Sequence, residues 1–163
     1  MDYRQFAERD VPQDVRNKVL EAGRSTGSVK NYQHWRFILV KDRQSLKRLA
    51  ENSTSGKWVE NANFAVIVLT DPKFSLYSFH LLDAGRVVQN MQLAAWNYGV
   101  TSCFYTLLDK TELVKELGIP TELDPTAVIG FGYPPRRLLG KKNRKPLAEL
   151  AFLERYGNRL RTQ

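Results

Sequence analysis

Residues 25–41 read S-T-G-S-V-K-N-Y-Q-H-W-R-F-I-L-V-K, from Ser25 to Lys41, and the two halves of that stretch differ in chemistry. The first half is Gly, Ser, Thr and Asn, the composition of a loop rich in hydrogen-bonding groups. From Trp35 to Lys41 the residues are aromatic and β-branched, as in a largely buried strand. A polar loop that feeds a core strand can present precise donors to a ligand from a rigid scaffold. It is equally the form of an ordinary helix-to-strand connection.

Working outward, Pro12 suits the first turn of a helix that runs to about Gly23, with Val15, Val19, Leu20 and Ala22 on one face. Before it, Tyr3 to Asp10 is short and polar, with Arg4 and Phe6 as its distinctive residues. After the strand, Asp42 can cap a second amphipathic helix through Leu46, Leu49 and Ala50. Phe64 to Thr70, F-A-V-I-V-L-T, is a continuous apolar run of the kind buried on both faces. A long helix is expected from about Ser78 to Tyr98, apolar around much of its circumference and therefore central. On it Asp83 and Arg86 stand at i, i+3 and suit a structural ion pair. A third strand follows from Thr101 to Leu107, and Asp109 to Glu112 forms a D-x-x-E capping pattern for a short helix to Leu117. Thr126 to Gly132 reads as a fourth strand, and Pro146 opens a last helical patch ending near Gly157. The expected class is α+β (mixed α/β) in a single domain: a central sheet flanked by helices on both faces, with a long buried central helix.

The 163 residues suffice for one domain that buries about 70% of its unfolded surface. Hydrophobic content of 42% with interspersed charge is globular rather than disordered. No long uncharged apolar run and no leader pattern opens the chain, and Cys103 is the one cysteine; these fit a reducing cytoplasm and no membrane. The net charge of +8 favours an anionic partner, either nucleic acid or a phosphate-bearing small molecule. Arg136, Arg137, Lys141, Lys142, Arg144 and Lys145 crowd one segment without an acid among them.

Gly56-Lys57 is no phosphate-binding P-loop, since Trp58 stands where Ser or Thr is required. Gly130-Phe131-Gly132 lacks the third glycine of a dinucleotide fingerprint and runs into Pro134-Pro135. His34 and His80 are far apart, and no metal site is expected. Without evident acid–base or metal machinery, a chain of this kind can take its chemistry from a cofactor.

Ser28, Asn31, Gln33, Trp35 and Phe37 form S-x-x-N-x-Q-x-W-x-F, which resembles the signature of the nitroreductase family of FMN-dependent oxidoreductases. The resemblance extends in order through Gly56-Lys57-Trp58-Val59 to Asp71-Pro72, through Asp83 to Gly99 with Thr101-Ser102-Cys103, and through Val114 to Pro120. It continues in Gly130 to Pro134 and closes in Lys142-x-Arg144-Lys145-Pro146-Leu147. Gly27 and His34 stand where the family pattern has proline, and Met1-Asp2-Tyr3 where it has arginine, serine and a variable residue.

The resemblance implies a homodimer, with the C-terminal segment from about 134 to 163 extending onto the partner. It implies FMN at the subunit interface, NADH or NADPH as reductant, and nitroaromatic, quinone or similar acceptors. Arg144 and Lys142 would hold the flavin phosphate, and Arg4 matches the last arginine of the family's N-terminal phosphate motif, although Asp2 beside it would repel that group. Ser28, Asn31 and Gln33 would donate to the ring edge or ribityl chain, and Phe104, Thr106 and Leu107 occupy the strand end that faces the ring. No side chain is assigned as catalytic; His34 is a candidate contact for the acceptor. Two rivals remain open: a flavin- or nucleotide-binding protein without efficient turnover, and, ranked last, a basic nucleic-acid-binding domain.

Overall fold

The run F-A-V-I-V-L-T forms strand β2 (Phe64–Thr70), buried along its whole length. Successive side chains leave opposite faces of a strand. Phe64, Val66 and Val68 therefore enter one core, and Ala65, Ile67 and Leu69 enter another. The computed structural model describes residues 2–74, 78–107, 110–136 and 143–159. Within them β1 (Trp35–Val40), β3 (Thr101–Tyr105) and β4 (Asp124–Gly132) join β2 in a sheet ordered β1-β2-β4-β3. All three pairings are antiparallel, with Trp35 opposite Thr70, Phe64 opposite Phe131 and Thr101 opposite Gly132.

Helices cover both faces, which gives the α+β layering expected of the sequence. On one face α1 (Gln13–Arg24) and α3 (Phe79–Asn97) bring Val15, Val19, Val87, Met91 and Ala95 onto Val66, Ile129 and Phe131. On the other, α2 (Arg43–Glu51), a 3-10 segment (Lys57–Asn61) and α4 (Thr111–Glu116) supply Leu46, Leu49, Val59 and Leu113. The two glycines of Gly130-Phe131-Gly132 serve packing: a Cβ there would come within 2.7 Å of the Trp58 ring at Gly130 and of the Phe6 ring at Gly132.

The cap expected of Asp42 forms, its carboxylate accepting from the Ser45 amide at 2.9 Å. Other expectations need correction. Strand β1 stops at Val40, β3 at Tyr105, and β4 begins two residues early at Asp124. Helix α4 opens at Thr111 without a side-chain cap from Lys110 before it; Asp109 lies outside the described residues. The last helical patch shrinks to one turn, α5 (Leu147–Leu150), after which Ala151 is extended and Phe152 bridges to Arg159. Leu147, Leu150 and Leu153 are exposed, so among the described residues this helix has no core to lie on. The central helix α3 buries Ala84, Val87, Val88, Met91 and Ala95 under the sheet but leaves Leu82, Leu93 and Trp96 exposed along its outer face.

Candidate active site

The chain enters β1 through a strained loop. Lys30, Asn31 and Gln33 all adopt left-handed conformations, with φ of 45°, 57° and 48°. Each such residue costs of order 1–3 kcal/mol and persists only where surrounding structure enforces it. Inside the loop, the Asn31 and Tyr32 amides donate to the carbonyls of Ser28 and Val29 at 3.0 Å. Ser28 Oγ accepts from the Gln33 amide at 2.9 Å, and Gln33 Nε2 turns back to the Asn31 carbonyl at 3.3 Å. A hydroxyl that accepts one bond still has its proton to donate, and the Asn31 and Gln33 side chains are exposed. His34 is closed off. Its ring has no exposed surface, stacks on Phe74 and sits 3.3 Å from Asp83 Oδ2, so in this chain it offers no surface for an acceptor to touch.

A second polar region lies beyond the end of β3. Thr106 and Leu107 line a cleft of about 620 Å³ together with Asn52, Ser53, Thr54, Lys57 and Glu112. Apolar and aromatic packing holds its walls. The Tyr105 ring lies so close to Gly56 that a Cβ there would overlap it, and its hydroxyl donates to the Leu49 carbonyl at 3.2 Å. Burial pushes the Tyr105 phenol well above its ordinary value. Ser53 Oγ accepts from the Gly56 amide at 2.7 Å, and Trp58 Nε1 donates to the Ser55 carbonyl at 3.1 Å. Trp58 meets Tyr105 edge-on at 5.9 Å and carries the Arg4 guanidinium 6.0 Å from its own ring. A hydrogen bond with Cys103, with Asp2 adding attraction, raises the Arg4 pKa.

The structure thus brings Thr106 and Leu107 together at the cleft, while Arg4, over Trp58, lines a separate pocket with Arg43, Glu60 and Asn61. Phe104 leaves the opposite face of β3 and is exposed. Ser28, Asn31 and Gln33 stand at the same end of the sheet but at its other edge, before β1. Three strand spacings, roughly 14 Å, separate β1 from β3. Arg144 is exposed, donating to its neighbour's carbonyl at 2.8 Å, and Lys142 lies outside the described residues. The Asn52–Lys57 side of the cleft went unrecognised in the sequence beyond the rejection of a P-loop there. Its signal was the hydroxyls of Ser53 and Thr54 and the charge of Lys57, directly before the apolar residues that anchor them.

Comparison with known proteins bears on what these two regions serve. A family model described as the nitroreductase family matches residues 1–72 and 54–133. A protein of Archaeoglobus fulgidus provisionally named NADH dehydrogenase/NAD(P)H nitroreductase is 33% identical over 137 residues, covering 80% of this chain and 79% of the relative. A relative of the same provisional name from Methanothermobacter thermautotrophicus is 32% identical over 136 residues, covering 80% and 71%. Among solved structures, an FMN-dependent nitroreductase from Clostridium difficile R20291 superposes with a TM-score of 0.86 at 21% identity, over 96% of this chain and 95% of that one. A protein from Bacteroides thetaiotaomicron, also provisionally named NADH dehydrogenase/NAD(P)H nitroreductase, gives 0.85 at 26% identity, over 96% and 93%. With its signature loop, its antiparallel sheet and these relatives, the chain belongs to the nitroreductase family.

Proposed function

We propose that this protein is an FMN-dependent oxidoreductase that moves a hydride from NADH or NADPH to nitroaromatic, quinone or similar acceptors. The observation that carries this reading is the pair of donor regions at one end of the sheet, the loop before β1 and the cleft after β3, with cations at the cleft and elsewhere on the chain. A flavin nucleotide needs cations for a phosphate dianion and N–H and O–H donors for a flat, polar-edged ring. Arg4, Lys57 and Arg144 supply the first. The hydroxyls of Ser53, Thr54, Thr106 and Ser28, with the amides of Asn31 and Gln33, supply the second. Bound FMN would supply the redox centre between the nicotinamide and the acceptor. The chain's own work is then to bind, to orient and to keep donors aimed at the ring edge where negative charge develops on reduction.

The separation of the two donor regions supports a site shared between subunits, in which the loop of one chain meets the cleft of the other. Helix α3 offers the surface for such a homodimer. Leu82, Leu93 and Trp96 follow one face and are 61%, 50% and 47% exposed. At the other edge of the sheet, the outer side of β1 carries no strand among the described residues, and a groove of about 540 Å³ beside it is lined by Leu20, Trp35, Phe37 and Leu39. The segment from about 134 to 163, with Leu147, Leu150 and Leu153 exposed on its own chain, would extend onto the partner there. No helix among the described residues is long and apolar enough to cross a membrane, and we place the protein in the cytoplasm.

The test is the visible absorption spectrum of the purified protein with added FMN, before and after NADH or NADPH. Flavin bands that bleach with either nicotinamide, and return when a quinone or nitroaromatic is added, are expected. A protein that takes up no FMN would overturn the reading.

A further inference from the structure

Helix α3 does more than fill the core, because one narrow face of it is polar and points at the loop before β1. Asp83, Arg86 and Asn90 recur at i, i+3 and i+7, the spacing of a single helical face. Each meets a different part of residues 26–34. Asp83 Oδ2 accepts from the Val29 amide at 3.0 Å and lies 3.3 Å from His34 Nε2. Arg86 Nη1 donates to Asp83 Oδ1 at 3.3 Å, and its Nη2 would be 2.8 Å from a Cβ at Gly27. Asn90 Nδ2 donates to Thr26 Oγ1 at 2.9 Å. The Asp83 side chain is only 4% exposed, and a carboxylate so buried requires donors on both oxygens. It has them, and two of the three come from the loop.

We propose that Asp83 is a positioning residue for the flavin site: its carboxylate clamps the 28–33 loop in the strained shape that aims Ser28, Asn31 and Gln33 outward. The proposal rests on the flavin reading above. Three left-handed residues in a row of four would relax if released, and the bonds within the loop are all local, so they cannot by themselves select this shape over a looser turn. The Val29 amide is the loop's hydrogen bond to a helix 54 residues away. His34 is its second, and the planar ring locked between Trp35 and Phe74 keeps Nε2 aimed at the carboxylate. Where the family pattern has a proline, this chain has a side chain that ties the loop to α3.

Asp83→Leu tests this, since the Val29 amide and His34 both meet the same oxygen, Oδ2, and a leucine of similar length accepts no hydrogen bond there. Amide hydrogen exchange in the apo protein is the first readout. Val29, Asn31, Tyr32 and Gln33 should exchange at least tenfold faster in the variant, with β2 unchanged. FMN should bind at least tenfold more weakly, and the bound flavin's midpoint potential should fall, a tenfold larger loss for the reduced form being about 30 mV for two electrons. Unchanged loop exchange overturns the proposal. So does faster loop exchange with both FMN affinity and potential unmoved. If the wild-type protein binds no FMN, the cofactor reading fails separately, while the exchange data still decide whether Asp83 holds the loop. Should Asp83→Leu fail to fold, His34→Leu removes one donor while filling the space, and the same readouts decide with about threefold effects.

Discussion

The two regions assigned to the cofactor are built on different physics. The cleft after β3 stands on packing: Tyr105 against Gly56, Trp58 against Tyr105, Arg4 over Trp58. The loop before β1 stands on a few polar bonds that restrain a strained backbone. Packing of this kind is cooperative with the whole core and fails only when the fold does. A polar tether can fail locally and leave the fold intact. Damage to the cleft should therefore appear as lost stability, and damage to the loop as lost affinity.

The largest effect should come from Tyr105→Ala, which removes a buried ring and its bond to the Leu49 carbonyl. A loss of about 3–5 kcal/mol in denaturant unfolding is expected; a loss below 1 kcal/mol would mean that the cleft is not part of the core. Arg144→Ala should weaken FMN by roughly 10–100-fold, the range for a charge-assisted bond, with unfolding unaltered. Unchanged affinity in a fluorescence titration would remove Arg144 from the phosphate site. Ser28→Ala deletes the acceptor of the Gln33 amide and should weaken FMN by about 3–10-fold, again at nearly constant stability. If instead stability falls and affinity holds, the contrast between the regions collapses.

A mixed dimer sharpens the contrast further. One subunit would carry Arg4→Ala and Arg144→Ala, the other Ser28→Ala and Asn31→Ala, each pair nearly abolishing FMN uptake in its own homodimer. In the heterodimer one site collects both defects and the other neither, so half the wild-type FMN content should return. No recovery would place both regions in the same chain's site. The smallest effect concerns pH. Burial raises the Tyr105 phenol above its ordinary value, so as pH rises past about 10 the unfolded chain loses this proton first. That contribution to stability is fully present below the unfolded pKa and is lost at higher pH. Tyr105→Phe should flatten the alkaline limb of the unfolding profile, with the loop region indifferent to it.

Much of the fold was legible because it rests on local periodicity. The continuous apolar run F-A-V-I-V-L-T and the apolar spacing of α1 and α2 announce their elements directly. The signature from Ser28 to Phe37 drew the proposal to the loop through its resemblance, and the strands follow the expected ones to within two residues. What was not legible depends on partners distant in sequence. Asp83 and Arg86 read as a structural ion pair within one helix, and nothing in their spacing says that Val29 and His34 complete the cluster. Pro146 and the leucines after it promised a longer last helix, but an amphipathic pattern needs a surface to lie on, and among the described residues this chain supplies none. The wall of the cleft between Asn52 and Lys57 has the composition of any surface loop, and only the approach of β3 makes it a site.

One consequence follows from β2, whose residues alternate between the two cores. Removing a single residue from its middle would send every side chain beyond the cut to the opposite face. The strand should accept substitutions of like volume and reject any change of length. In a library that mixes point changes with single-codon insertions and deletions, this seven-residue strand should return folded members of the first kind alone.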